Sequence, residues 1–295
     1  MAHGDFIAEE RIRLFPYRSA LSAPPALSFI FQTMITRPDT PGTSVAGGDV
    51  TVTISDGIGT IRFGHPKGNS LPGALLRRLA EAVTWVGMDP AARVIVLRSE
   101  GTGPFCAGAS FDELVEINDP ASGEEFFSGF AKVILAMIRA PKFVLVRVHG
   151  RTAGGGVGLA AAGDYTIATS NASAKLSELA VGIGPFVVGP VIERRIGTAA
   201  FAAMAVDVNW RDAEWCERHG LYARVLDDTA LADAAINALA GTLAASNPEA
   251  MAEMKRIFWE GTEQWEELLA GRARISGRLV LSAFTREAIA KFRER

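Results

Sequence analysis

The chain has 295 residues, a formal net charge of −3 and 48% hydrophobic residues. This length is enough to bury a large core in one or two domains. The near-neutral charge gives no basic field for nucleic acid, and no apolar run in the sequence is long enough to cross a membrane. The two cysteines, Cys106 and Cys216, lie far apart and the four histidines lack ligand spacing. These features predict no metal or redox motif and favour a reducing, cytoplasmic location.

Residues 1–49 differ from the rest of the chain in composition. They show no sustained hydrophobic periodicity, and they contain five prolines, Pro16, Pro24, Pro25, Pro38 and Pro41. Three acidic residues among the first ten, Asp5, Glu9 and Glu10, argue against a transit peptide. We therefore expect a loosely ordered N-terminal extension.

Residues 50–236 alternate short apolar strands with amphipathic helices. A hairpin signal over residues 50–63 is followed by a helix with an apolar stripe and by a continuous apolar strand over 94–97. Further helices are predicted over residues 111–117, 122–138, 186–196 and 212–217, and further strands over 143–148 and 165–168. This alternation predicts an α/β domain with ligand-binding loops on one edge of its sheet.

Residues 237–295 have helical character throughout. Asn247, Pro248 and Glu249 form a helix-start signal. The tail from Glu266 onwards is charged and amphipathic, so we expect it to pack on the domain or on another subunit.

Two loops rich in small residues follow two of the predicted buried strands. The first, residues 105–110, would offer the backbone N–H of Ala109, and the second would offer that of Gly155 at a helix entry. Two N–H groups directed at one carbonyl oxygen can stabilise an enolate or a tetrahedral oxyanion. Each loop taken singly is equally compatible with a tight turn, and neither matches a P-loop or a dinucleotide fingerprint.

A single carboxylate, Glu178, follows the second loop in an apolar stretch with Leu176 and Leu179. If its side chain points inward, burial would raise its pKa, which suits a general base. The competing interpretation is a solvated carboxylate on the surface.

The two loops together resemble those of the crotonase (enoyl-CoA hydratase/isomerase) family. The resemblance rests on residues 105–109, on residues 141–164 with their glycine triplet, and on residues 174–182. It extends from residue 50 to about residue 295 and is weakest at the C-terminus. It implies a superhelix of repeated ββα units followed by a C-terminal helical region used in oligomerisation. It also implies an acyl-CoA substrate, with coenzyme A as part of the substrate and no separate cofactor, and a homotrimer or homohexamer.

The resemblance also implies roles for individual residues. Ala109 and Gly155 would hold the thioester oxygen, and Glu178 would act as acid or base. The loop over residues 65–71, with Lys67, and the region from Ala107 to Ser110 would lie along the coenzyme A moiety.

The chain departs from the family pattern at two positions. Gly158 stands where two-glutamate hydratases of the family carry their first glutamate, and Ser110 stands where an aspartate commonly follows the oxyanion-loop alanine. One carboxylate can move a proton between two carbons, so double-bond isomerisation and hydration both remain open. Hydration would need help in orienting a water molecule. The candidates for that role are Asp112, Glu113 and His149, and each of them fits a structural or surface position better.

Other functions are compatible with the same two small-residue loops. Decarboxylation and thioester hydrolysis would use the same oxyanion site, and a non-catalytic acyl-CoA-binding protein would explain the missing glutamate at Gly158. A protease of related fold is disfavoured, because no serine occupies a nucleophile loop beside a paired histidine.

Overall fold

The computed structural model describes residues 47–293, so almost all of the extension predicted over residues 1–49 lies outside the described residues. The strands are β1 (Asp49–Ser55), β2 (Ile58–Gly64), β3 (Val94–Ser99), β4 (Val144–Val148), β5 (Arg151–Ala153), β6 (Tyr165–Thr169), β7 (Ser173–Lys175), β8 (Arg211–Asp212) and β9 (Arg224–Leu226). The helices are α1 (Gly73–Met88), α2 (Phe111–Glu116), α3 (Pro120–Arg139), α4 (Gly155–Ala162), α5 (Gly189–Asp207), α6 (Ala213–Arg218), α7 (Thr229–Ala244), α8 (Pro248–Phe258), α9 (Trp265–Val280) and α10 (Ala283–Arg293). A 3₁₀ turn covers Glu178–Val181. This is the predicted α/β class.

The main sheet has the order β1-β2-β3-β4-β6-β9, and a smaller sheet has the order β5-β7-β8. Only the β1–β2 hairpin is antiparallel in the main sheet; its other pairs are parallel. Because parallel strands have their carboxyl ends at one edge, the loops that follow β3 and β4 leave the sheet side by side.

The central strands are buried on both faces, which explains their continuous apolar sequences. Ile95 and Leu97 of β3 belong to the larger hydrophobic core, together with the apolar stripes of α1 and α3. Val94 and Val96 pack on the other face, against α7. The sheet is therefore held between two helical layers, and its loop-bearing edge stays accessible.

The predicted hairpin and the helices before residue 140 are confirmed within a few residues, whereas two later boundaries differ. The helix predicted to end before Gly197 continues to Asp207, because Gly197 takes a φ of 78° and joins two helical segments across a kink. The helical region predicted from residue 237 begins earlier, at Thr229, where the Asp228 side chain accepts a hydrogen bond from the N–H of Leu231. The proposed boundary between residues 236 and 237 therefore falls within α7.

The two C-terminal helices pack on the rest of their own chain. A methyl group on Gly123 of α3 would lie 2.7 Å from the Cα atom of Gly277, so α3 and α9 are in backbone contact there. In α10, the Thr285 hydroxyl donates to the carbonyl of Gly182, which follows the 3₁₀ turn. A role of this region in oligomerisation stays a prediction. No described helix is both long enough and apolar enough to span a membrane.

A buried ion pair fastens α8 to the sheet. Lys255 and Asp164 are both almost fully buried, with Nζ 2.8 Å from Oδ2. The Lys255 ammonium also donates to the carbonyls of Met137 and Lys142, at 2.7 and 2.8 Å. Asp164 accepts from the N–H of Val144 at 2.7 Å and from the Trp259 indole at 2.9 Å. Both charges are thus fully hydrogen-bonded, which is the condition under which a buried pair is tolerated.

We predict that Lys255→Met destabilises the fold by about 3–5 kcal/mol, because it leaves the Asp164 carboxylate buried without its counter-ion. Chemical denaturation of the purified variant measures this change. Lys132→Met is the matched control, because Lys132 is half exposed in its pair with Glu125 and should change stability by less than about 1 kcal/mol. Equal effects of the two substitutions would contradict the prediction.

Candidate active site

Hydrogen bonds join the two loops predicted to carry the chemistry. The N–H of Phe105 donates to the carbonyl of Arg151, and the N–H of Ala153 donates to the carbonyl of Cys106, both at 2.9 Å. A methyl group on Gly108 would lie 3.2 Å from the carbonyl oxygen of Ala153 and 3.8 Å from the nitrogen of Gly155. The structure therefore brings the two loops into contact, as their positions after β3 and β4 predict.

The first loop leaves the N–H of Ala109 available. Leu71 donates to the carbonyl of Gly108 at 2.8 Å and accepts from the N–H of Ser110 at 3.1 Å, which forms a parallel bridge opposite Ala109. In that pattern the N–H of Ala109 is directed away from Leu71. It donates to no backbone acceptor within residues 47–293, and Ala109 lines a cavity.

The second loop delivers Gly155 as the first residue of α4. The first N–H groups of a helix have no partner within the helix, so the Gly155 N–H is available to a ligand. A methyl group on Gly155 would lie 2.2 Å from Cζ of the Phe130 ring, so only glycine fits between that ring and the cavity. The preceding Gly154 has a φ of 51°, in the left-handed region that favours glycine.

Glu178 lies against the entry of α4. The N–H of Gly154 donates to the carbonyl of Lys175 at 2.9 Å, which ties α4 to the strand before Glu178. A methyl group on Gly154 would lie 3.1 Å from the Glu178 Oε1 atom. The Oε2 atom is enclosed and has no hydrogen-bond partner among the described residues. Burial raises the pKa of Glu178 to about 7, against smaller opposing effects of the backbone N–H groups of Glu178 and Ser177.

A cavity of about 820 Å³ connects these groups. Five of the six predicted site residues line it, namely Lys67, Ala107, Ala109, Gly155 and Glu178. The sixth, Ser110, does not line the cavity; it is buried and its hydroxyl accepts from the N–H of Glu113 at the start of α2. The volume lies within the range typical of ligand sites.

The three residues considered as helpers are placed differently. Asp112 lines the cavity at an exposed position, where it pairs with Lys67. Glu113 lies outside the cavity lining, and its Oε2 atom accepts from the N–H of Gly73 at 2.7 Å. His149 also lies outside the lining; its ring is buried beside Arg147, and burial lowers its pKa to about 4. Glu178 is therefore the carboxylate that the structure encloses at the cavity.

The position of Gly158 is closed to a larger side chain. A methyl group there would lie 2.7 Å from Cγ1 of Val188 and 3.3 Å from Cδ1 of Ile134. These two apolar side chains fill the space that a glutamate at residue 158 would need.

Sequence reasoning missed most of the cavity wall. The described lining includes aromatic and aliphatic residues of α3 and of the segment after the 3₁₀ turn, among them Phe126, Phe127, Phe186, Val187 and Val188. Adjacent residues of a helix do not lie on the same stripe, so the neighbouring phenylalanines Phe126 and Phe127 were a sequence signal for apolar surface beyond one buried stripe. Trp210 also lines the cavity, and its exposure became visible only in the structure.

The raised pKa of Glu178 predicts a pH-dependent cost to stability. Below pH 4.5 the carboxyl is protonated in both the folded and the unfolded chain, so it does not lower the free energy of unfolding. Between pH 4.5 and about pH 7 the unfolded chain ionises first, and stability falls by up to about 3 kcal/mol. Glu178→Gln should therefore be more stable than the parent at pH 8, with a much smaller difference at pH 5, as measured by urea denaturation. Glu214→Gln, at an exposed carboxylate, is the control. A stability difference that does not grow with pH would contradict the prediction.

Comparisons with known proteins identify the family of the chain. The family model described as enoyl-CoA hydratase/isomerase matches residues 53–295. The mitochondrial methylglutaconyl-CoA hydratase of Rattus norvegicus is 32% identical over 199 residues, which cover 66% of this chain and 63% of that protein. The 1,2-epoxyphenylacetyl-CoA isomerase of Escherichia coli K12 is 30% identical over 190 residues, 62% of this chain and 71% of that protein.

The fold comparison gives the same result. The crystal structure of an enoyl-CoA hydratase from Mycobacterium avium matches with a TM-score of 0.74 and 25% identity, covering 83% of this chain and 96% of that one. The chain matches a little under two thirds of the length of the rat methylglutaconyl-CoA hydratase. The crotonase-type fold predicted from the sequence is confirmed, and the chain belongs to the enoyl-CoA hydratase/isomerase family.

Proposed function

We propose that the chain is an enzyme that moves a proton within an enoyl-CoA thioester, with Glu178 as its single acid/base. The observation that carries this proposal is the enclosed carboxyl of Glu178 against the entry of α4, in the cavity that Ala109 and Gly155 also line. Coenzyme A enters as part of the substrate, with Lys67 and Ala107 along it. The named relatives act on acyl-CoA compounds, which supports this substrate class.

In this mechanism the N–H groups of Ala109 and Gly155 bind the thioester oxygen. Removing a proton from the acyl chain places negative charge on that oxygen, and each donor aimed at it lowers the barrier by about 3–4 kcal/mol. Glu178 accepts the proton and returns it to another carbon of the same chain. Its pKa of about 7 suits both steps near neutral pH, because the group then gains and loses a proton at similar cost.

The closed space at Gly158 favours isomerisation over hydration. Adding water across a double bond calls for a group that orients the water as well as one that transfers the proton. Val188 and Ile134 occupy the space beside Gly158, and among the described lining residues the other carboxylate, Asp112, is paired and exposed. A lone carboxylate is sufficient for a shift of the double bond, in which no water takes part.

Assembly into a homotrimer or homohexamer is part of the same proposal. Several large apolar side chains remain exposed on the chain, including Val206, Met254, Ile257 and Phe258. Such side chains become buried when subunits associate. Light scattering on the full chain measures the assembly, and a monomer at micromolar concentration would contradict it.

We predict that Glu178→Gln lowers kcat on an isomerisable 3-enoyl-CoA by about 10²–10⁴-fold and leaves acyl-CoA binding within about threefold, because the amide keeps the shape but cannot accept the proton. Turnover is followed by product analysis, and binding by calorimetry. The parent kcat/KM should rise with pH through about pH 7, as Glu178 ionises. Glu214→Gln is the control, and parent-like turnover by Glu178→Gln would reject the mechanism.

We also predict that Gly158→Ala destabilises the chain by about 1–3 kcal/mol, because its methyl group would overlap Val188. The double variant Gly158→Ala/Val188→Ala should recover part of this loss. Gly241→Ala is the matched control: its methyl group would have no neighbour within 4 Å, and alanine should stabilise the helix slightly. Thermal unfolding measures all three, and a neutral Gly158→Ala would contradict the closed space.

A further inference from the structure

The charged groups that line the cavity are distributed unevenly. Five ionisable side chains line it: Lys67, Asp112, Lys175, Glu178 and Lys291. Lys67 and Asp112 form an exposed pair, and the exposed Lys291 pairs with Glu287 at 2.6 Å. The Lys175 ammonium lies 5.8 Å from the centre of the Trp210 ring, itself half exposed. Within the described residues, Glu178 alone presents an enclosed charged atom to the cavity.

The interior wall is apolar and strongly aromatic. It is formed by side chains from α2, from α3, and from the end of the 3₁₀ turn and the segment up to α5. These are Leu114, Phe126, Phe127, Phe130, Val181, Ile183, Phe186, Val187 and Val188. The Phe126 and Phe127 rings meet edge to face, with centroids 5.0 Å apart and planes at 88°. Phe126, Phe127 and Phe186 are only partly buried although each lines the cavity, so ring surface is left available to a ligand.

This wall begins next to the reacting groups. The Phe130 ring is packed against Gly155, and Val188 is packed against Gly158 one turn further along α4. An acyl chain whose thioester oxygen is bound at Gly155 therefore meets apolar side chains as soon as it leaves the carbonyl.

A charged acyl group packed against this wall would lose its hydration, because the side chains that form the wall are all uncharged. Transfer of an unpaired charge into such a site is strongly unfavourable. An aromatic ring, in contrast, buries apolar surface and can pack edge to face with the phenylalanines already there.

We propose that the substrate carries an uncharged, bulky acyl group that ends in an aromatic ring. This inference rests on the proposed function, in that the cavity is taken as the acyl-CoA site. It adds the chemical class of the acyl group, which the wall of the cavity selects.

The test uses saturated thioesters, because they lack the double bond that isomerisation requires and so report on binding alone. The probes are 4-phenylbutanoyl-CoA, hexanoyl-CoA, glutaryl-CoA and 4-(trimethylammonio)butanoyl-CoA, titrated into the full-length protein by calorimetry. We expect the phenyl compound to bind at least tenfold more tightly than either charged compound and at least threefold more tightly than hexanoyl-CoA. A smaller margin over any of the three overturns the inference.

Substitutions in the apolar wall test whether its phenylalanines cause the preference for the phenyl compound. Phe127→Leu should reduce the affinity for 4-phenylbutanoyl-CoA at least fivefold and change that for hexanoyl-CoA less than twofold. Phe186→Leu is a second variant of the same design, in case the first fails to fold. Phe201→Leu is the matched control, because Phe201 is likewise partly buried but lies outside the cavity lining. Unchanged preference in both cavity variants overturns the inference.

The outcomes separate this inference from the proposed function. Selective binding of the phenyl compound without turnover of any 3-enoyl-CoA would reject the isomerase mechanism and keep the acyl preference. Turnover combined with preference for a charged acyl group would reject the inference alone. Absence of binding by all four thioesters would reject both.

Discussion

The contact between the Glu178 carboxyl and the backbone of Gly154 determines the rest of the site. At 3.1 Å from where a methyl group on Gly154 would stand, Oε1 leaves little room for a side chain there, and the φ of 51° independently favours glycine. This approach places the carboxyl beside the entry of α4, and its Oε2 atom is enclosed. Burial raises its pKa, so ionisation of this carboxyl at neutral pH lowers the stability of the folded chain. In the proposed mechanism the same shift suits proton transfer near neutral pH.

Three glycines at and after the entry of α4 each make room for a different neighbour. Gly154 leaves room for Glu178, Gly155 for the Phe130 ring and Gly158 for Val188. Glycine disfavours a helix by roughly 1 kcal/mol at each position, so a run of glycines persists only where packing offsets that cost. Here the neighbours come from α3, from the 3₁₀ turn and from the segment before α5. The helix entry is thus the place where three parts of the chain meet around one ligand site.

The sequence was sufficient for the features governed by local chemistry. The continuous apolar run at residues 94–97 and the alternation of strands and helices predicted an α/β domain with ligand-binding loops on one edge of its sheet. The role of Glu178 came from the family resemblance, because its position alone was also compatible with a solvated surface carboxylate. Ser110 was assigned to the ligand because of its place in the loop, but its hydroxyl caps α2. A short polar side chain just before a helix can either contact a ligand or cap the helix. The orientation of the loop backbone, which the sequence does not show, decides between these two roles.

The cavity wall could not be derived from local pattern, because it depends on which faces of distant helices converge. Phe127 and Phe130 read as one apolar stripe of α3, yet Phe130 closes the space at Gly155 while Phe127 remains partly exposed along the cavity. The C-terminal tail is a second example of a contact that the sequence pattern did not decide. Its amphipathic character was compatible with packing of α10 on its own domain or on another subunit. The bond from Thr285 to the carbonyl of Gly182 places it over the turn that carries Glu178. The C-terminal helix therefore packs on the turn segment of its own polypeptide, next to the residue that the proposed mechanism uses as acid/base.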